Sequence, residues 1–317
     1  KYKSQESVTK DGTKVKLYAN IGLPADAEIA LNNTAEGVGL LRSEFLYMDS
    51  DTMPSEEGQF EAYKKVALMM KGKPVVIRTL DIGGDKEIPY LGLQKEENPF
   101  LGFRAVRFCL KRTDIYKSQL RALLRASAYG DIRIMVPLVT RVEEMRQVKA
   151  LLAQLKEELT DQSVPFNSAI QLGVMMETPA SAVIADLLAK EADFFSIGTN
   201  DLTQYTMCAD RGNANVAYLY SHYDPAVLRM IRRIVTCAKD AGILAGMCGE
   251  AAADPLLIPL LISFGLEEYS VSPTSVLATR KAIAAWSKEE ADMLAQKVMS
   301  LPTQQEVLRC LTEHARR

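Results

Sequence analysis

The chain has 317 residues, 48% of them hydrophobic and 25% charged, with a formal net charge of -2 at pH 7. That near-neutral balance, with basic residues spread along the chain, excludes the electrostatic footprint of a nucleic-acid or membrane-surface binder and leaves a small molecule or another protein as the expected partner. The cysteines (Cys109, Cys208, Cys237, Cys248 and Cys310) are odd in number and include no C-x-x-C pair, which excludes a disulfide framework and a zinc cluster and fits a reducing cytoplasm.

No signal-peptide pattern opens the sequence at Lys1, and the lack of an initiator methionine leads us to expect a piece of something larger. Short runs rich in Val, Ile and Leu then alternate with longer amphipathic stretches, the pattern of βαβ units around a parallel sheet. In chain order the strands are expected at residues 15–20, 37–42, 74–80, 132–137, 172–177, 194–198, 244–248 and 268–271. Helices are expected at 57–70, 114–129, 141–159, 179–189, 225–241 and 255–264. Three of these starts are marked by a cap residue and a proline: Thr178-Pro179, Asp224-Pro225 and Asp254-Pro255. The apolar stretch at 255–266 is too short for a membrane span and is broken by Pro259, so no membrane insertion is expected.

An open doubly wound sheet shares this alternation, but the polar residues favour a closed (βα)8 TIM barrel. Arg42, Arg78, Glu177, Asn200, Asp201 and Cys248 all fall at or just after the C-terminal ends of the expected strands, where such barrels build their active face. The barrel is expected over about residues 13–285 as a single domain, with a helical tail at 286–317 that serves packing.

Four segments carry the chemistry. DFFSIGTNDLTQYTMCADR, residues 193–211, reads as a buried strand followed by a turn with Asn200 and Asp201 and then Arg211; alone, it reads first as a capped turn with a surface charge. GVMMETPAS ends a buried strand in Glu177, which needs a cation or several donors. Glu177 and Asp201 stand on adjacent strands, and two carboxylates suffice for magnesium if substrate and water complete the shell; a capping glutamate is the plainer reading. Arg42, Arg78, Arg104 and Arg211 offer planar forks for phosphate and carboxylate oxygens, and four together imply a multiply charged anion. GMCGE places Cys248 between Gly246 and Gly249, which are expected to let the backbone approach a ligand, and an unperturbed thiol is mostly protonated at neutral pH and so can act as a general acid. The other four cysteines read as small buried hydrophobes. Gly83-Gly84 with Lys86 has the wrong spacing for a Walker loop, and His222 reads as a loop residue.

Six segments in order, GVGLLRSEFLY, RTLDIGGDK, NPFLGFRAVR, GVMMETPAS, DFFSIGTNDLTQYTMCADR and GMCGE, resemble the phosphoenolpyruvate-utilising enzymes. Among these the resemblance is closest to the C-terminal domain of the enzyme I family of bacterial phosphoenolpyruvate:sugar phosphotransferase systems. It implies a phosphoenolpyruvate/pyruvate-binding barrel in which Glu177 and Asp201 hold magnesium and Arg42, Arg78 and Arg211 grip the phosphoryl group. Arg104 and Asn200, with Asp201, would seat the substrate, and Cys248 would protonate the enolate to give pyruvate. It further implies a homodimer, a phosphohistidine domain preceding this one, and through it a phosphocarrier protein. No G-G-x-x-S-H segment is present, so the histidine that receives the phosphoryl group is expected outside this chain. Cys208 departs from the small residue usual at its position, a change expected to concern packing. The barrel domain of a dikinase or synthase, a pyruvate-enolate aldolase or lyase, and a noncatalytic phosphoenolpyruvate sensor are the alternative readings.

Overall fold

Short runs of branched and aromatic residues, nearly all buried on both sides, form eight strands: β1 (Lys16–Ile21), β2 (Val38–Arg42), β3 (Val75–Arg78), β4 (Ile132–Val136), β5 (Leu172–Met176), β6 (Phe194–Ile197), β7 (Leu244–Met247) and β8 (Glu268–Val271). The structure, a computed structural model, describes residues 1–83 and 88–316, so Gly84 and Lys86 lie outside the described residues. All neighbouring strands are parallel, and β8 pairs back onto β1 through Lys16↔Glu268, closing a (βα)8 barrel in chain order. Parallel strands need crossovers, and the amphipathic helices that supply them cover the outside of the barrel. Among the described residues no helix is long and apolar enough to cross a membrane.

Two apolar layers result. One lies between strands and helices and includes Tyr47, Tyr63, Tyr116 and Phe108. The other fills the barrel itself with Leu40, Val76, Met135, Met175, Phe194 and Cys248. In β2 the register shifts between Val38 and Leu41, and Gly39 lies so close to β8 that a Cβ there would fall 2.3 Å from Ser270 Oγ. Such an irregularity re-aims the strand end that carries Arg42.

Expected helices differ from the observed ones in three places. The stretch at 179–189 divides into Pro179–Val183 and Ala185–Leu188, because Ile184 leaves helical geometry (φ -99, ψ 23). The carbonyls freed at Ala182 and Val183 accept hydrogen bonds from Arg233, which makes the break tolerable. The helix expected from Pro255 begins at Ile258. Asp254 is occupied otherwise: its Oδ2 meets His222 Nε2 at 3.0 Å and accepts the Tyr223 hydroxyl, while Oδ1 accepts from Leu256 in a turn. His222 thus ties its own loop to the next one. The tail forms two helices, Lys288–Val298 and Gln304–Glu313, with Trp286 buried ahead of them.

Glu268 opens β8 at the barrel floor with its side chain buried, and among the described residues its carboxyl has no hydrogen-bond or ion-pair partner. Burial, only partly offset by Arg133, pushes its carboxyl up to about 8. The unfolded carboxyl ionises near 4.5, so stability from this site is complete below that pH and is lost as pH rises towards about 8. Glu268→Gln is expected to flatten the stability profile over that window, as read by urea denaturation at several pH values. An unchanged slope would show that the carboxyl is already ionised in the fold.

Candidate active site at the barrel mouth

Because the strands are parallel, all their C-terminal ends open on one rim. There a cavity of about 350 Å³ is lined by Arg42, Arg78, Asp81, Arg104, Glu177, Asn200, Asp201, Arg211 and Cys248 with Leu40, Phe100, Met175, Gly198 and Gly249. The eight residues expected to carry the chemistry, Arg42, Arg78, Arg104, Glu177, Asn200, Asp201, Arg211 and Cys248, therefore meet in one place. A larger depression of about 920 Å³ between Ile88, Phe103 and Arg112 is lined by none of these residues.

Charges alternate around the rim, all buried except that of Arg211, which is exposed. Arg78 contacts Glu44 at 3.2 Å and Asp81 at 3.5 Å, Arg104 contacts Asp81 at 2.9 Å and Asp201 at 3.5 Å, and Arg211 stands 3.8 Å from Asp201. Burial works against the charge of Arg78, but Glu44, Asp81 and Glu177 overcome it and leave the guanidinium firmly protonated. Arg104 is held likewise, against burial, by Asp81 and Asp201, and donates to the Tyr205 hydroxyl at 3.1 Å. Tyr205 in turn donates to the Phe100 carbonyl, pinning that loop beside the cavity.

Arg42 is different. Its side chain opens to solvent and makes no ion pair or hydrogen bond with a described residue, and desolvation together with the neighbouring Arg78 charge lowers its pKa. A guanidinium without an acidic partner beside a second guanidinium is suited to bind an anion. Orphaned donors point the same way: Arg78 Nε and Arg104 Nε are buried without partners.

Glu177 just follows β5. Its Oε1 accepts from the Leu138 amide at 2.7 Å, an amide presented by a left-handed Leu138 (φ 55). Burial first, then the Asp201 and Asp81 charges, raise its carboxyl well above the ordinary range. Two carboxylates that repel each other in a buried site are a donor set suited to a hard divalent cation. Among the described residues no group of three or more His, Cys, Asp or Glu is placed to hold a metal, so a cation here would take its remaining ligands from substrate and water.

Asn200 and Asp201 stand in the first turn of a helix, Thr199–Met207, rather than in an irregular turn. The acidic group at that end is favoured by the helix dipole. Asn200 is held by the Tyr220 hydroxyl on its carbonyl (3.2 Å). The glycines flanking Cys248 also serve differently from expectation: a Cβ at Gly249 would fall 1.9 Å from Thr199 Oγ1, and one at Gly246 2.6 Å from Glu268 Oε2. Both make room for neighbouring side chains. Cys248 itself is buried, with its carbonyl held by Asn20 Nδ2 at 2.7 Å and Asn20 by Ser270. Burial pushes the thiol up to about 11, with Ser196 acting in the opposite direction.

The other cysteines only partly match their expected burial. Cys109 is buried, Cys237 and Cys310 are half-buried, and Cys208 is exposed as the left-handed cap (φ 51) of the helix ending at Met207. Its departure from a small residue is thus a matter of backbone strain, not packing. Cys208→Gly is expected to stabilise the fold by about 0.5–1 kcal/mol, measured by chemical denaturation, since glycine adopts this conformation without a Cβ clash. A destabilised variant would contradict it.

Sequence reasoning missed Glu44, Asp81 and Tyr205, which hold the arginines in place. Asp81 had a usable signal, being three residues past Arg78 at the end of the same strand.

The family described as PEP-utilising enzyme, PEP-binding domain, matches residues 1–288 (PEP, phosphoenolpyruvate). Phosphoenolpyruvate-protein phosphotransferases of Geobacillus stearothermophilus and Bacillus subtilis (strain 168) are 55% and 52% identical over 304 and 310 residues, covering 96% and 98% of this chain but 53% and 54% of theirs. The chain thus spans about half the length of the curated relatives it matches. Among solved structures, a citrate lyase from Burkholderia xenovorans LB400 shares the fold with a TM-score of 0.52 at 15% identity, over 94% of this chain and 88% of that one. Matched from its first residue to residue 288, the chain belongs to the PEP-utilising enzymes as a PEP-binding domain.

Proposed function

We propose that this chain is the phosphoenolpyruvate-binding half of a phosphoenolpyruvate-protein phosphotransferase, which seats phosphoenolpyruvate, yields its phosphoryl group to a histidine outside the chain and releases pyruvate. The observation that carries this reading is the unpartnered Arg42 beside Arg78, facing the Glu177 and Asp201 carboxylates across a cavity sized for a small dianionic substrate. The name borne by relatives 50–55% identical to it supports the same reaction.

In this reading Arg42, Arg78 and Arg211 take the phosphoryl oxygens. Charge-assisted bonds to fixed guanidiniums stabilise charge spreading over those oxygens as the bond to the enolate loosens. Arg78 and Arg104 are held by carboxylates before substrate arrives, so little reorganisation is needed at the moment of transfer. The Asn200 amide helps to seat the substrate, and Arg104 does so while holding Asp81 and Asp201. Cys248 would give its proton to the substrate methylene carbon, a role supported by its place in the cavity wall and by the burial that keeps its thiol protonated. Glu177 and Asp201 would hold magnesium, which when bound supplies charge neutralisation for the enolate and phosphoryl oxygens. The acceptor histidine belongs to a separate domain, reaching a phosphocarrier protein in turn, and the barrel works in the cytoplasm as a homodimer.

Arg211→Ala is expected to weaken phosphoenolpyruvate by about tenfold or more while changing oxalate affinity little, as measured by calorimetry. Equal weakening of both would move Arg211 to the carboxylate end. Supplying a relative's histidine-bearing domain in trans should produce pyruvate with stoichiometric phosphohistidine. Tight substrate binding without transfer would instead fit a noncatalytic sensor.

A further inference from the structure

Pairing of β7 with both of its neighbours ends at Met247, one residue before the thiol. The Cys248 amide still donates to the Ile197 carbonyl at 3.0 Å, and Sγ lies 3.8 Å from the same oxygen. The Cys248 carbonyl, however, leaves the ladder and accepts a hydrogen bond from Asn20 Nδ2 at 2.7 Å. Asn20 belongs to β1, on the far side of β8 from β7, and stands one residue past the last β1–β8 pair, Ala19↔Val271. At that level the β1–β2 register shifts, between Ala19 and Asn20. Freed from pairing with β8, Asn20 reaches over that strand to β7 with its side chain. Ser270 of β8, fully buried, donates to Asn20 Oδ1 at 2.6 Å. That bond occupies the acceptor end of the amide and leaves the donor end for the Cys248 carbonyl. Gly39 of β2 makes the arrangement possible, since a Cβ there would fall 2.5 Å from Ser270 Cβ. Beyond the held carbonyl stands Gly249, whose backbone resists rotation of the intervening peptide plane less than that of any other residue.

We infer that Asn20 is a positioning residue for Cys248: with Ser270 setting its amide, it fixes the peptide plane beside the thiol and so aims the S–H proton at the substrate methylene carbon. This rests on the reading of Cys248 as the group that protonates the enolate. In that step the C=C electron pair of the enolate forms the new C–H bond with the thiol proton, an oxygen electron pair closes the carbonyl of pyruvate, and the S–H electrons stay on sulfur. The thiolate regains a proton from water once pyruvate leaves. A general acid works only within hydrogen-bond reach of its target, and a misplacement of about 1 Å costs on the order of 100-fold. Leu40 and Met175, in the same apolar cluster as Cys248, give the thiol bulk around it but no direction. Its direction comes from the backbone, held by the Ile197 carbonyl on one side and by Asn20 on the other. Asn20 is absent from the lining of the cavity, so its effect on the substrate passes through Cys248.

The test follows pyruvate formation from phosphoenolpyruvate and magnesium with a relative's histidine-bearing domain supplied in trans, after urea denaturation has shown which variants fold. Asn20→Leu keeps the size of the side chain and removes the donor; it should lower kcat by about tenfold or more with the phosphoenolpyruvate KM within about threefold of wild type. Ser270→Ala leaves the Asn20 amide in place but free to turn, and should lower kcat by about threefold or more, again with KM little changed. In a Cys248→Ala background neither change should slow the reaction further, because the group they aim is gone. If Asn20→Leu does not fold, Ser270→Ala carries the same comparison. No pyruvate from wild type, or full activity in Cys248→Ala, overturns the reading of Cys248 and the role of Asn20 with it. A reaction that needs Cys248 yet runs at full rate in Asn20→Leu and Ser270→Ala overturns the role of Asn20 alone. A KM that rises as far as kcat falls, or a further loss of similar size in the Cys248→Ala background, makes Asn20 a structural tie and also overturns it.

Discussion

Arg78→Met is expected to abolish measurable phosphoenolpyruvate binding and to destabilise the fold by about 3–5 kcal/mol, the largest stability loss of any single change at the mouth. Arg78 is 8% exposed and is the counter-charge of Glu44 at 3.2 Å and Asp81 at 3.5 Å, with Glu177 close enough to act on it. Removing the guanidinium leaves Glu44 buried without its counter-charge, although Asp81 keeps Arg104, and that costs more than the pair itself contributes. Glu44 also accepts the Asp81 amide at 2.8 Å, so the loop entering the site would loosen with it. Urea denaturation reads the loss. Adding Glu44→Gln to Arg78→Met should recover part of it, whereas strictly additive losses would show that Arg78 is not the partner that matters.

Cys248→Ala is expected to slow pyruvate formation by about 100-fold to 10,000-fold when a histidine-bearing domain is supplied, while phosphoenolpyruvate affinity changes by no more than about threefold. The thiol is buried, so the substitution removes a proton donor from a wall otherwise made of Leu40 and Met175 and leaves the guanidiniums untouched. Because burial pushes the thiol up to about 11, it keeps its proton throughout the neutral range, and the step should show no Cys248 titration until the pH approaches that value. Loss of the rate at lower pH, through the ordinary thiol range, would place Cys248 in a wetter setting than its 5% exposure indicates. Unchanged pyruvate kinetics in the variant would remove it from the reaction.

Much of this site was legible because barrel geometry converts strand ends into a shared rim. Once the eight apolar runs are recognised, Arg42, Arg78, Glu177 and Cys248 need no tertiary information to be placed together. The 193–211 segment shows the limit of that reasoning. As a sequence it is a capped turn; in the fold its Asn200 and Asp201 open a nine-residue helix, and Asp201 acquires its neighbours Arg104 and Arg211 only through contacts of long sequence separation. Glu44 stayed unread for the same reason, being 34 residues from Arg78 in sequence, whereas Asp81, three residues past Arg78, could have been found. Gly246 and Gly249 were noticed for the right position and the wrong cause. A glycine that admits a ligand and a glycine that admits Glu268 or Thr199 look identical until the neighbour is seen. Cys208 is similar, because its left-handed backbone is a property of the helix end and not of its side chain.

The central claim, that Glu177 and Asp201 face the substrate of Arg42 and Arg78 across one cavity, is tested most directly by calorimetric titration of phosphoenolpyruvate into this chain with and without magnesium. The account predicts binding that tightens by about tenfold or more with the metal, and Asp201→Asn should erase most of that gain. Binding of equal strength with and without magnesium would contradict it.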